Sequence, residues 1–374
     1  MKRVLILGCG FAGLSAAVEL CRGGRGFDVT VIDKKRYLDF LPLLPDVIGR
    51  GIEEECLRFP LAALAARFGF NFVNAYVGTL DTSMRRVISS AGEFGYDYLL
   101  LASGSETNFY GNAQAAKSAY KLDDAGDAAN ILLALERRKL DCCVVSGGGY
   151  TGIEIATNLR LYFNKRGEKK NIVIIEKSSS ILGPLPYWMK SYVYDNLRSL
   201  GIRVLSNTVI EEIEERSILA AGELFTNSML IWAAGVRVSD LIRGEGFERN
   251  PQGRYKVDEF LRLGDNCFAA GDASCFSFRG SFLRMAVQFA ISQGACAGRN
   301  IINAAEGRRL KTYKPRDLGY IIPMANSNSC GQVLGVPVRG AAPTVFHYLM
   351  CLYRCLGWRN KVGIIRGLLN KKRR

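Results

Sequence analysis

Residues 4–13 read VLILGCGFAG, an apolar run that breaks into Gly8-x-Gly10-x-x-Gly13 and continues into the helix-forming stretch LSAAVEL. A second apolar run, 29–32, ends at Asp33, twenty residues after Gly13. Glycines at this spacing, between a strand and a helix, suit a bound dinucleotide. Gly8 permits the tight turn, Gly10 lets backbone approach a pyrophosphate, and Gly13 lets helix pack on strand. The helix N-terminus favours the phosphate charge, and Asp33 can accept hydrogen bonds from ribose hydroxyls. A glycine-rich turn alone would explain the glycines, but not the strand, helix and acid placed around them.

The pattern returns 139 residues later. CCVVSGGGYTGIEIATNL carries Gly147, Gly149 and Gly152, and the strand 172–175 that follows ends at Glu176. Two clamps imply two dinucleotides. A carboxylate at Glu176 favours NAD(H) over NADP(H), because a 2′-phosphate would be repelled; Lys177 beside it weakens that preference. In CFAAGDAS, Gly271 and Asp272 follow an apolar strand. An Asp behind a close-approach glycine can bind the ribityl hydroxyls of a flavin.

These residues need a large α/β scaffold. At 374 residues the chain is long enough for two or three domains. Fifty basic against 35 acidic residues give +15, which calls for an anionic partner. No aromatic–basic interleaving or zinc-finger spacing points to nucleic acid, so a membrane surface is favoured. The eleven cysteines form no framework and are expected as free thiols. The N-terminus has signal-peptide character, but the dinucleotide pattern explains the same residues better. No apolar stretch approaches the ~20 residues of a spanning helix. His347 is the single histidine, which excludes a multi-His metal site; no metal is expected. It is read as an interfacial residue in the tail.

That tail, 347–374, holds eight Lys or Arg and no acid. Trp358, Val362, Ile365 and Leu369 make one narrow apolar stripe flanked by Arg359, Lys361 and Arg366, the pattern of an interfacial helix. The terminal KKRR adds attraction to anionic lipid. A dimerisation helix followed by a solvated basic tail is the alternative.

Further stretches carry a family resemblance: DKKRYLDFLPLLPDV (33–47), YDYLLLASGSETNFYG (96–111), IWAAGV (231–236), GRYKVDEFLR (253–262) and RMAVQFAISQG (284–294). Over nearly its whole length the chain resembles the two-dinucleotide-binding-domain flavoproteins, and within them the type II NADH dehydrogenases. The resemblance implies FAD, NADH as co-substrate and a membrane quinone as acceptor. It implies Pro42 near the flavin ring, Ala102, Ser103 and Gly104 at a strand end, and Ala234 and Gly235 beside the nicotinamide. Phe11, Ala12 and Lys34 fall in the first clamp's cofactor set, and Tyr150 and Thr151 in the second. It puts Glu154 where flavin and nicotinamide meet; a helix N-terminal acid is the alternative. The quinone motif is imperfect: Gln288 and Ala290 match, while Val287 and Ser292 are substitutions. Gln288 and Ser292, four residues apart, share a helix face and could hydrogen-bond a quinone carbonyl.

The expected architecture is α/β with two Rossmann-like domains. Residues 1–112 and 250–318 form the FAD domain, 113–249 the NADH domain, with 120–135 as a connection, and 319–374 a C-terminal strand and helix region. The expected protein is a homodimeric, peripheral NADH:quinone oxidoreductase at the cytoplasmic face of the membrane. Its rivals are a sulfide:quinone oxidoreductase, for which the cysteines are poorly placed, and a slow flavin redox sensor.

Overall fold

The computed structural model describes residues 1–23, 26–238 and 246–369. The chain is α/β and forms two compact units. The first contains residues 1–38, 59–106 and 236–317; the second contains 39–58, 107–235 and 318–374.

The first unit is built on a six-stranded sheet ordered Arg262–Gly264, Cys267–Ala269, Tyr98–Leu101, Lys2–Leu7, Phe27–Asp33, Asn71–Asn74. All neighbours are parallel except the first pair. Central parallel strands are covered on both faces, so they read as unbroken apolar runs. Leu5, Ile6 and Leu7 are each at most 2% exposed, and each contributes ~1.5–3 kcal/mol by burial. Helix Phe11–Arg22 lies against helix Val287–Ala305 through small residues. A Cβ on Gly294 would stand 2.1 Å from the Ala12 carbonyl oxygen.

The second unit repeats the plan with four parallel strands ordered Ile202–Leu205, Asn171–Ile175, Cys142–Ser146, Ser228–Trp232. Helix Tyr150–Lys165 follows the central strand. Each unit also has a three-stranded antiparallel meander, at 77–95 and 210–226.

The units divide the chain differently from the expected domains over 39–58, over 107–112, from 236 to 249 and at the C-terminal region. Residues 39–58, read with the FAD domain, belong to the second unit. Their helix Leu44–Gly49 packs on Tyr150–Lys165, with Gly49 so close that a Cβ would meet the Asn158 carbonyl oxygen at 2.6 Å. Residues 319–374, read as a separate region, also cluster there, because Ile322, Met324 and Cys330 share a core with Met189, Val193 and Leu197. The stretch read as a connection, 120–135, is integral as well. Tyr120 bridges to Ile231, and Asp124 caps helix Ala125–Arg137 by accepting from the Asp127 N–H.

Candidate functional site

At the first clamp, Gly8 has φ +101°, and a Cβ there would lie 2.3 Å from the Ala102 carbonyl oxygen. Gly13 is excluded from substitution by its own loop, since a Cβ would meet the Gly8 oxygen at 1.9 Å. Gly10 differs: it has ordinary extended backbone, and a Cβ there would meet nothing within 4 Å. The protein's packing therefore requires the outer two glycines, while the middle one borders open space where a phosphate can approach. Phe11 opens the helix, and Ala12 is buried behind it. Asp33 accepts from the Cys9 N–H at 2.6 Å and the Lys35 N–H at 2.7 Å. A carboxylate has about four acceptor positions, so capacity remains for ribose hydroxyls. Lys34 pairs with Glu106 at 3.5 Å.

The turn at Gly271–Asp272 lies in the same unit. Gly271 has φ +72°, and a Cβ there would be 2.9 Å from the Ala12 side chain. The Asp272 carboxylate accepts from Ser105 Oγ at 2.8 Å. Burial pushes its pKa up, opposed by Ser105 and the Arg254 charge. Ala102, Ser103 and Gly104 follow strand Tyr98–Leu101, with Gly104 at φ +70°.

Three residues of this region escape the sequence reading. Arg254 is 5% exposed and donates to the carbonyls of Asp272, Ser274 and Leu283. Gln293 is 2% exposed and accepts from the Gly271 N–H at 2.7 Å and from Ser274 Oγ at 2.8 Å. Ser105 completes the set. Arg254 and Gln293 both lie in stretches that carried the resemblance; their direction toward the turn had no local signal.

The second clamp repeats the first. Gly147 has φ +105°, and a Cβ would meet the Ala233 oxygen at 2.5 Å; on Gly152 it would meet the Gly147 oxygen at 1.9 Å; on Gly149 it would meet nothing. Glu176 accepts from the N–H groups of Gly148 and Ser178, each at 2.7 Å. Tyr150 stands edge-on to Tyr320, and Thr151 is exposed. Beyond the neighbouring strand, Gly235 lies under Tyr110, whose hydroxyl donates to the Ala234 oxygen.

Glu154 is half-buried on the first turns of Tyr150–Lys165. Burial, and secondarily Asp46, push its carboxyl well above the usual range. Pro42 lies in the second unit, inside the turn Leu41–Leu43.

Gln288 and Ser292 share helix Val287–Ala305, which begins at Val287. Each already has a partner. Gln288 Nε2 donates to Asp317 at 3.1 Å, and Ser292 Oγ lies 2.8 Å from the Tyr313 hydroxyl. The cysteines described are free. Burial raises the thiol pKa of Cys142 and Cys330 to about 12 and of Cys355 to about 11, which disfavours thiolate chemistry.

The tail forms helices Ala341–Arg354 and Trp358–Leu369. In the second helix Ile364 and Gly367 face inward, while Trp358, Ile365 and Leu369 are exposed and Val362 is half-buried. Asn360 anchors it by donating to the Cys56 and Arg58 carbonyls. Val345, Leu349 and Tyr353 form a second exposed stripe on the first helix. No helix among the described residues is long and apolar enough to cross a membrane. The terminal KKRR lies outside the described residues. His347, read as interfacial, is half-buried, and its Nε2 lies 3.5 Å from Cys351 Sγ.

The pattern of the pyridine nucleotide-disulphide oxidoreductases matches residues 2–294. The demethylphylloquinone reductase of Synechocystis is 26% identical, covering 97% of this chain and 94% of that protein. The type II NADH:quinone oxidoreductase of Staphylococcus saprophyticus is also 26% identical, with 91% of each covered. Among solved structures, NDH2 from Plasmodium falciparum in complex with NADH superposes with a TM-score of 0.85 at 16% identity, covering 98% of this chain and 97% of that one. The sulfide:quinone oxidoreductase of Aquifex aeolicus gives 0.79 at 17%, covering 100% and 96%. At these identities the superpositions speak for the fold.

Proposed function

The chain belongs to the pyridine nucleotide-disulphide oxidoreductase family; from that premise we propose that it is an FAD-dependent NADH:quinone oxidoreductase docked on a membrane surface. The observation that carries this reading is the pair of matched clamps, each with a middle glycine that the protein itself does not need. Relatives named as quinone reductases align over more than nine-tenths of the chain, which supports the acceptor class.

The first clamp, with Asp33, Ser105 and Asp272, would hold FAD; the second, with Glu176, would hold NADH. Bound there, FAD would supply two-electron chemistry, linking a hydride from NADH to the two-electron, two-proton reduction of a quinone. The protein's own contribution is placement. Backbone N–H groups at Gly10 and Gly149 open the two helices toward phosphate. Arg254 and Gln293 fix the turn that carries Asp272. Gln288 is proposed to meet the quinone, exchanging its contact with Asp317, and Glu154, on the second clamp's helix, to lie toward the nicotinamide. The exposed stripes of the tail would lie in the lipid interface, close to the store of quinone, with the charge of +15 drawing the protein to anionic lipid.

Burial raises the thiols of Cys142, Cys330 and Cys355, which supports NADH over sulfide as the donor. One anaerobic experiment tests the assignment. NADH should bleach the flavin quickly, sulfide should not, and a quinone should restore the colour. Gln288→Ala should slow the recovery but not the bleaching. Ile365→Asp with Leu369→Asp should release the protein from anionic vesicles and leave bleaching intact. Absence of flavin absorbance after FAD is supplied, or bleaching by sulfide but not NADH, would overturn the reading.

A further inference from the structure

One short hairpin of the first unit has no part in the clamps. Strands Ser277–Phe278 and Ser281–Phe282 are joined by Arg279 and Gly280. Arg279 has φ +53° and Gly280 φ +78°, the left-handed pair that a two-residue hairpin turn needs. Residues 277–282 are all exposed, Phe278 by 36% and Phe282 by 63%. Directly opposed residues of a hairpin share a face. Phe282 opposes Ser277, and Phe278 opposes Ser281. One phenyl ring therefore stands on each face of the ribbon.

The base of this hairpin is firmly held, although its tip is bare. Buried Arg254 donates to the Ser274 carbonyl on the incoming leg and to the Leu283 carbonyl on the outgoing leg. The Leu283 N–H donates to the Phe276 carbonyl at 3.0 Å. Phe276 meets Tyr313 edge-on, with ring centroids 5.0 Å apart. Tyr313 thereby seats the strap RRLKTYKPR, residues 308–316, at the foot of the hairpin. The strap contains no acid. Arg308 pairs with Glu306, whereas Arg309, Lys311, Lys314 and Arg316 are exposed and form no ion pair among the described residues.

We propose that hairpin 277–282 is a wedge by which the first unit enters the interface of an anionic lipid bilayer, with the strap 308–316 against the headgroups. This extends the membrane reading to a surface other than the tail, and it stands without the tail. A flat protein surface can cover one face of a ribbon, not both. Rings on opposite faces suit a medium that closes round the tip, as the boundary between headgroups and acyl chains does. Each arm of two residues reaches ~7 Å, within the ~5–10 Å depth of interfacial insertion. At the turn, the Arg279 guanidinium lies 5.3 Å from the Phe278 ring centroid. A long basic side chain there can keep its stem in lipid and its charged head at the phosphates. The unpaired cations of the strap supply attraction to acidic headgroups.

The test mixes the flavin-loaded full chain with vesicles of phosphatidylcholine and phosphatidylglycerol and reads the bound fraction by flotation. Phe278→Ser with Phe282→Ser should lower the partition coefficient by on the order of tenfold. Arg309→Gln with Lys314→Gln should lower it by a similar factor and flatten its fall with salt. Phe282→Trp should add emission, over that of the parent, that lipids brominated on the acyl chain quench. The substituted side chains are exposed, so all three variants should keep the parent's flavin absorbance and thermal midpoint. An unchanged partition coefficient in the phenylalanine pair variant would overturn the proposal, as would no quenching of the Phe282→Trp variant. Loss of RNA binding or of self-association in the pair variant, with vesicle binding unmoved, would give the hairpin to another partner. The tail is judged separately. If Ile365→Asp with Leu369→Asp stays on the vesicles while the hairpin variant leaves them, the tail assignment fails and the hairpin assignment stands.

Discussion

At the first clamp the acid accepts from the N–H after the first glycine at 2.6 Å, and at the second at 2.7 Å. The first glycine's N–H donates at 2.8 Å to the carbonyl of the residue before the acid in both, Ile32 and Ile175. The surroundings differ. In the first unit the loop is closed by a turn from far along the chain. Gly271 touches Ala12, Gln293 holds the Gly271 N–H, and Arg254 holds the carbonyls behind it. In the second unit the strand end beside the loop, Ala234–Gly235, the counterpart of Ser103–Gly104, is covered by Tyr110, which is 65% exposed. One nucleotide loop thus serves two regimes. A locked cover suits a group that stays, and a single surface side chain suits a coenzyme that must leave each turnover.

The strongest way to break this comparison is to destroy each clamp in turn. Gly13→Val and Gly152→Val both force a side chain into a carbonyl 1.9 Å away, an overpacking cost of at least ~1–3 kcal/mol. Gly13→Val should abolish flavin absorbance. Gly152→Val should remain yellow yet fail to bleach with NADH. Loss of flavin from both variants, measured by absorbance after FAD is supplied, would mean that the two clamps do not hold separate ligands.

Much of this site was legible because its signals are local. Glycine spacing, the apolar runs before each loop, and the acid closing each second strand all lie within about thirty residues, and backbone sterics fix their meaning. The tail stripe was legible for the same reason: a helix of period 3.6 exposes it whatever lies beneath. What stayed hidden depends on distant partners. Asp46 accepts from the hydroxyl of Tyr348, 302 residues away, and Gln293 reaches back 22 residues to its turn. Residues 39–58 read as a continuation of the first clamp, and only the seating of Gly49 on Asn158 shows that they pack with the second unit. The imperfect quinone motif drew attention to Ser292, while the adjacent Gln293 holds the Gly271 turn.

A smaller effect separates the two acids. Glu176→Gln removes the charge that repels a 2′-phosphate and keeps one acceptor for the loop N–H groups. Charges a few ångströms apart near a surface interact by ~1–4 kcal/mol, so the preference for NADH over NADPH, as kcat/KM, should narrow by on the order of tenfold. Asp33→Asn should leave that ratio unchanged, because the first clamp does not select the coenzyme. A ratio altered equally by both substitutions would erase the distinction drawn between the clamps.

The finest test concerns the middle glycines, where protein packing and ligand fit make opposite demands. Gly10 has φ −71° and Gly149 φ −78°, which alanine adopts without strain, and a Cβ at either meets no protein atom within 4 Å. By the protein's own physics Gly→Ala should be harmless. It should even stabilise the ligand-free chain by ~0.4–1 kcal/mol, because alanine restricts the unfolded state. If a pyrophosphate passes that point, the added methyl group should weaken its binding. Gly10→Ala should therefore raise the thermal midpoint of the flavin-free protein slightly while weakening FAD binding. Gly149→Ala should do the same for NADH and leave the flavin in place. Melting curves with and without each nucleotide measure both effects on one sample. A substitution that lowers the midpoint without ligand would show that the protein itself needs the glycine. One that leaves nucleotide affinity unchanged would show that no phosphate approaches there, and the equivalence of the two clamps would then be one of backbone shape alone.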